Sequence, residues 1–529
     1  MGTPTDKMQD EEKYPVEPKL VAGSSDKSSA SVEDEVPPYM RDTSKKGVLA
    51  KLRGWEEALD REIGVETHGI SRRRPEDRDP AYGSWSNQAV MFLMWMSATM
   101  NLSCFATGFL GWELGLDLSR TITITIFSTL LGSAVTGWCA TMGPGTGLRQ
   151  VSISRYSIGW WPSKLIAALN VVEQIGWSSV GCITGGQALA AVSDGRLGSE
   201  LGVVIAAVCA FVVSFVGLKA VFTYEKFAGL VLAVAFLIMY GYAGASADLA
   251  TPALAGPTLS GTALTLFAVL YGSSASWCSI VSDYYVEYPV DTSKWKVFLL
   301  TTLGNSIPTC LGMILGCICG SALNNKADWL ESYDSGIGYL IQTMVRPVGF
   351  AKFLLVILAF SGIAMTAIAM YSAGLSVQQF ARPLGVVPRF IWTSIMFVAI
   401  ILLALVGRDQ LLTFLQNFLS LLGYWNTSFF VMLAAEHYLY RGGLRCGFQG
   451  YDLDAWNNPR LLPFGWAGGL AFAAGIAGAV VGMSETFYVG VLAARIGDNS
   501  GDIGNQLSFL FTLAVYVPAR WAERKFTGR

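Results

Sequence analysis

The chain has 529 residues, 52% of them hydrophobic and 14% charged, and a mean hydropathy of +0.44. Soluble domains run near 25% charged, so an ordinary cytosolic enzyme, a nucleic-acid binder and a collagen-like chain are excluded. The net charge of −2 gives no reason to invoke a polyanionic partner.

Residues 1–87 hold 14 Lys and Arg and 18 Asp and Glu, which is 32 of the 76 charged residues. This stretch reads as a polar, largely disordered tail. Its start has no apolar core, so it is not a signal peptide. Met1-Gly-Thr-Pro-Thr-Asp6 fits the loose acylation pattern, but a multi-span body makes an acyl anchor redundant. A short helix fits residues 55–62.

A bilayer core takes about 20 apolar residues as helix. On that rule residues 88–521 divide into twelve spans: 88–111, 120–141, 163–192, 199–218, 225–246, 260–284, 297–323, 348–379, 388–407, 410–440, 463–492 and 504–521. Residues 522–529 form a short C-terminal tail. An even count puts both tails on one side. Loops on that side carry twelve Lys and Arg, the opposite loops seven. The excess of positive charge places both tails in the cytoplasm. Neither Asn101-Leu-Ser103 nor Asn426-Thr-Ser428 is usable for glycosylation, because both lie inside spans. With nine cysteines, no CxxC pair and only His68 and His437, no zinc or haem signature exists. A bundle of this size without a soluble catalytic domain points to a transporter and away from an enzyme.

Polar groups in hydrocarbon are expensive and mark a site by default. In span 1, Ser97 and Asn101 share one helical face and Thr99 and Ser103 another. A helix polar on two faces has no good lipid orientation, so this span is central and prone to unwinding. In span 3, Asn170, Glu173, Gln174 and Trp177 fall at i, i+3, i+4 and i+7, with Gly181 and Thr184 in phase. That face either bonds to neighbouring helices or looks at a substrate. Glu173 is paired, protonated or facing water; a carboxyl that alternates between two states suits proton coupling. Span 6 contains Tyr271-Gly-Ser-Ser-Ala-Ser-Trp277-Cys-Ser, a poor helix and a good place for a break. Spans 1 and 6 correspond if the first ten spans are two five-span repeats, and paired interruptions point to a transporter site. Small residues packing helices closely is the other reading of span 6. Asp283, at its inner end, reads as an interfacial cap or gate ion pair. Trp177 and Trp277 sit deep beside polar or small residues. Two such indoles facing one cavity can stack a flat heteroaromatic ring.

At these residues the chain resembles the fungal purine–cytosine permease group of the nucleobase–cation symporter family. The resemblance covers most of residues 60–525. It rests on Gly64-Val-Glu-Thr-His-Gly-Ile70, Met142-Gly-Pro-Gly-Thr-Gly-Leu-Arg-Gln150, Asn170-Val-Val-Glu-Gln-Ile-Gly-Trp177 and Trp277-Cys-Ser-Ile-Val-Ser-Asp283-Tyr. Gly423-Tyr-Trp425 with Glu436-His437, and Gly475-Ile-Ala-Gly-Ala-Val-Val-Gly-Met483 with Tyr488-Val-Gly490, complete it.

The resemblance implies an all-α membrane protein with a 5+5 inverted-repeat, LeuT-like bundle plus two C-terminal helices. It also implies alternating access and proton-coupled uptake of purines and cytosine at the plasma membrane. Ser97, Trp177 and Trp277 match the family's substrate contacts. Gly181 stands where the family has an Asn, and Met365-Thr-Ala-Ile-Ala-Met-Tyr371-Ser replaces its Asn- and Pro-bearing span 8 stretch. Thr366 offers only a hydroxyl there, and Gln174 could supply a replacement contact. The expected substrate is therefore a purine or cytosine, or another small heterocycle such as vitamin B6. A transport-inactive sensor is the third alternative. The proton gradient serves as driving force with no cofactor. The partners are the solute, protons and the lipid bilayer; no nucleic acid is expected, and a homo-oligomer is allowed.

Overall fold

The computed structural model describes residues 69–529, except 217, 252 and 253. Most of the polar tail lies outside the described residues. So do the residue 55–62 helix, the acylation pattern and all but the end of the 64–70 motif.

Each of the twelve spans is occupied by helix, whole or broken. Span 2 is Leu118–Ala140, span 3 Pro162–Val192, span 7 Lys294–Ala322 and span 9 Arg389–Gly407. Span 1 is broken into Trp85–Thr99 and a helical stretch from Leu102 to Glu113, bent by 52°. Span 8 is broken into Val348–Ala359 and Gly362–Phe380. Span 10, Leu411–Ala435, ends in one wide π turn, Glu436–Tyr440. Span 12 is Gly504–Thr527.

Span 11 departs from expectation. Its helix, Trp466–Gly482, stops ten residues before 492. Hydropathy counts apolar residues whatever their backbone, and the run Phe487-Tyr-Val-Gly-Val-Leu492 is apolar without being helical. It turns back through an isolated antiparallel bridge between Ser484 and Val489. Connections also hold short helices that hydropathy does not reveal, among them Gln150–Ser157 after span 2, and Ala327–Asp334 with Ile337–Met344 after span 7.

Packing sorts the spans into three groups. Span 2 lies against spans 6 and 7, and span 1 against spans 5 and 7. Spans 3, 4, 8 and 9 pack on one another. Spans 11 and 12 pack together and onto span 10. Three pairs of corresponding spans meet (2 with 7, 3 with 8, 4 with 9), which fits an inverted repeat. Small residues allow the closest crossings. A methyl added at Gly272 of span 6 would lie 2.0 Å from the Leu419 carbonyl oxygen of span 10, and one at Gly316 of span 7 would lie 2.1 Å from that of Phe105.

On the tail side, residues 72–78 strap the bundle. The Arg73 amide donates to Gly147 O at 2.9 Å. Arg78 Nη1 donates to Pro144 O at 2.6 Å and Tyr288 O at 2.9 Å. Arg73 pairs with Glu287. Span 12 is fastened by a fully buried guanidinium. Arg520 bonds Glu436 of span 10 through Nε at 2.9 Å and Nη2 at 3.0 Å, and Glu523 through Nη1 at 3.0 Å. Glu523 also accepts the Gly465 N–H at 2.9 Å, fixing the start of span 11. Breaking such a buried cluster strands charge. Arg520→Met is expected to destabilise the protein by about 3–5 kcal/mol, read as a lowered Tm of the detergent-solubilised full chain.

Candidate functional site

The site begins with two interrupted helices. In span 1, Met100 (φ −90°, ψ 84°) and Asn101 (φ −141°, ψ 177°) leave helical geometry. Asn101 mends the break itself. Its Oδ1 accepts the Cys104 N–H at 3.0 Å, and its Nδ2 donates to Ala98 O at 2.9 Å. That is an Asn N-cap restarting the helix inside the bundle. The freed Leu102 N–H donates to Ser361 Oγ, at the break in span 8, at 3.1 Å.

Span 6 runs as helix over Gly256–Ala275 and then tightens into two short 3₁₀ turns, Ser276–Ser279 and Val281–Tyr284. Neighbours take up the Ser274 carbonyl: Thr136 Oγ1 donates to it at 2.8 Å and Asn305 Nδ2 at 3.2 Å. The unwound turn brings Ser276 Oγ to 3.3 Å from Trp177 Nε1 of span 3. Asp283 accepts the backbone N–H of Gln150 at 2.9 Å, so its carboxylate caps the short helix after span 2. That is the cap role expected of it, with no place in the hollow.

Between the breaks lies a small hollow. Span 1 contributes Ala98, Thr99, Asn101, Cys104 and Thr107; span 3 contributes Trp177. Ser273 and Trp277 come from span 6, Thr309 and Met313 from span 7, and Met365 from span 8. The two tryptophans that the sequence singles out therefore line one space. Each is held by a neighbour at its edge: Trp277 meets Trp95 T-shaped at 5.4 Å, and Trp177 meets Phe418 T-shaped at 5.9 Å. Trp95 is anchored in turn through Nε1 to the Tyr285 hydroxyl at 3.0 Å.

The other expected site residues lie elsewhere. Ser97 is buried with no hydrogen-bond partner for its hydroxyl, on the side of span 1 that faces Gly229 of span 5. Gly181 packs against span 8: a methyl there would lie 2.9 Å from Thr366 Oγ1 and 3.2 Å from the Met365 methyl. Thr366 thus faces span 3, and Met365, one residue earlier, reaches the hollow. Gln174 Nε2 donates to Asn170 Oδ1 at 2.9 Å, and Asn170 Nδ2 to Ser376 Oγ of span 8 at 2.8 Å. Glu173 accepts from Asn426 Nδ2 of span 10 at 2.8 Å and from Ser279 Oγ of span 6 at 3.4 Å. Of the polar stripe on span 3, then, Trp177 faces the hollow, while the amides and the carboxyl tie spans 3, 6, 8 and 10 together just beside it.

Residues 83–504 match the family model described as permease for cytosine/purines, uracil, thiamine, allantoin. The chain belongs to this family. Over 521 residues it is 33% identical to purine-cytosine permease fcyB of Emericella nidulans, covering 97% of this chain and 98% of that one. Over 517 residues it is 32% identical to the vitamin B6 transporter TPN1 of Saccharomyces cerevisiae, covering 88% and 89%. The fold matches the inward-facing structure of Mhp1 with a TM-score of 0.62 at 14% identity, over 87% of this chain and 94% of that one. Mhp1, a nucleobase-cation-symport-1 family transporter, in its closed, bromovinylhydantoin-bound form gives 0.60 at 16% identity. The sequence resemblance and the LeuT-like inverted-repeat fold are thereby borne out, and the chain is a membrane transporter among permeases, not an enzyme.

The lining residues that the sequence did not pick out include Cys104 and Thr107 of span 1 and Thr309 and Met313 of span 7. Asn101, which the sequence placed on a polar face of span 1, has the most defined role at the hollow. Asn101→Ala removes the internal cap and is expected to cost about 1 kcal/mol of stability, read as a lower Tm, together with reduced uptake at unchanged surface expression.

Proposed function

We propose that this permease takes up a small flat heterocycle across the plasma membrane by proton symport, with both tails cytoplasmic, and that a hydroxylated pyridine of the vitamin B6 kind is its substrate. The observation that carries the substrate class is the polar lining of the hollow. Asn101 is its sole carboxamide among the described lining residues, and both ends of that amide are already engaged in the break of span 1. A nucleobase edge presents a fixed array of donors and acceptors that paired amides read well. What remains here is hydroxyl oxygens: Thr99, Thr107 and Thr309 donate to backbone carbonyls at 2.8, 2.8 and 2.7 Å and so accept from a solute, while the Ser273 hydroxyl can donate or accept. Accepting oxygens of this kind suit a ring carrying separate hydroxyl and hydroxymethyl donors. Trp177 and Trp277 supply apolar faces for the ring plane. The vitamin B6 transporter among the relatives supports the same choice. Purines and cytosine are the second reading, supported by the matched tryptophans and by fcyB.

In the mechanism that follows, solute enters between spans 1, 3, 6 and 8. The group of spans 1, 2, 6 and 7 then rocks against spans 3, 4, 8 and 9. Glu173 bridges the groups, since Ser279 belongs to span 6. A proton on Glu173 turns that carboxyl from acceptor into donor and changes what Ser279 can offer it. Proton occupancy is thereby linked to the fit between the groups.

Radiolabelled uptake in yeast lacking its own permeases tests the reading. Pyridoxine uptake uncompeted by adenine or cytosine is expected; nucleobase uptake without pyridoxine uptake overturns the substrate class. Loss of one stacking face, at about 1–3 kcal/mol, predicts that Trp177→Ala raises the apparent KM by roughly 5- to 150-fold. Uptake by the wild type should rise as external pH falls, whereas Glu173→Gln should transport with little pH dependence. A Glu173→Gln variant that keeps the wild-type pH profile removes Glu173 from coupling.

A further inference from the structure

A second buried acidic group lies apart from the hollow. Tyr424, midway along span 10, points its hydroxyl at two carboxyls from the connection between spans 11 and 12. Glu485 Oε1 is 2.9 Å away, and Asp502 Oδ2 is in close contact. Tyr424 is 2% exposed, Glu485 3% and Asp502 0%. A phenol has one hydrogen to give, so it can donate to only one of the two oxygens. The other contact needs a proton from the carboxyl side.

The surroundings tell the two acids apart. Asp502 accepts the backbone N–H groups of Ser484 at 2.7 Å and Gly504 at 2.9 Å, which favour a carboxylate. Glu485 Oε2 is buried with no hydrogen-bond partner. An unpartnered oxygen is tolerable on a neutral carboxyl and very costly on a buried ion. The polar groups packed around the pair are Ser420 of span 10, Thr265 of span 6, Ser484 and Ser500 of the connection, and Asn505 of span 12. Ser420 gives its hydroxyl to Gln416 O, Thr265 accepts the Asp502 N–H, and Ser484 and Ser500 bond each other. Among the described residues no Lys or Arg pairs with either acid.

We propose that Glu485 and Asp502 share one proton through Tyr424, in the order Glu485 carboxyl to Tyr424 hydroxyl to Asp502 carboxylate, forming a proton-binding site that clamps the connection between spans 11 and 12 onto span 10. The site lies outside the substrate hollow and does not depend on which solute is carried. When the proton leaves, two carboxylates face one phenol and the clamp loosens. Two carboxylates sharing a site hold one proton well above the ordinary carboxyl range. A proton bound more tightly by the folded than by the unfolded chain gives stability that is present in acid and lost as pH rises.

Two measurements on the solubilised full-length protein test this, neither requiring transport. At neutral pH the infrared spectrum should contain a protonated-carboxyl band that is lost in Glu485→Gln and kept in Glu173→Gln. Wild-type Tm should fall between about pH 5 and pH 8, and the fall should be smaller in Glu485→Gln, whose amide can donate to Tyr424 at any pH. A band unchanged by Glu485→Gln, or an identical Tm slope in the folded variant, overturns the proposal. Should that variant not fold, the wild type alone decides against it if no protonated-carboxyl band is present at neutral pH.

Discussion

A backbone amide that loses its helical partner in hydrocarbon must find another, or several kcal/mol are lost. The centre of this protein follows from that constraint. The chain gives up helix at Met100 and Asn101 and again beyond Ala275. Several nearby polar side chains are then drawn into repair. Asn101 recaps its own helix, Ser361 takes the Leu102 N–H, and Thr136 and Asn305 take the Ser274 carbonyl. The hollow lies between two mended breaks. The residues that mend them are therefore also its neighbours.

This explains the division of labour on span 3. Asn170, Glu173 and Gln174 lie within two turns of Trp177 and share its face in sequence, yet Asn170 and Glu173 are committed to neighbouring helices and Gln174 to Asn170. In a medium without water, polar groups on adjoining spans satisfy one another before they satisfy a solute. The indole is different. Its single N–H is answered by Ser276, and its apolar face is left over for a ring. Recognition by stacking on Trp177 and Trp277 therefore coexists with a tightly bonded interior.

The twelve spans were legible because length and hydropathy act over twenty residues and average out local detail. The two breaks were legible because Gly, Ser and Asn cluster there. What pattern could not reach was direction. Ser97 and Asn101 are four residues apart and share a face only if the helix between them is intact; the break at Met100 turns them apart, so Asn101 reaches the hollow and Ser97 meets span 5. Met365 and Thr366 are adjacent, and a turn of about 100° per residue sends one inward and the other toward span 3. Thr309 and Met313 sit on span 7, where the signal was the polar stretch Asn305-Ser-Ile-Pro-Thr309 with its internal proline, and hydropathy averaged over the span hides it. The end of span 11 was overrun for a related reason: an apolar hairpin and an apolar helix score alike.

The Arg78 guanidinium bonds the carbonyls of Arg73, Pro144 and Tyr288, and among the described residues no carboxylate bonds to it. Neutral acceptors of this kind are readily replaced by water at a wetted surface, whereas an ion pair sheltered from solvent is not. The same junction also holds charge: Arg73 of the strap pairs with Glu287, and the buried Asp283 carboxylate accepts the Gln150 N–H. Parting the connection after span 2 from the end of span 6 would cost little at Arg78 and most at these two carboxylates.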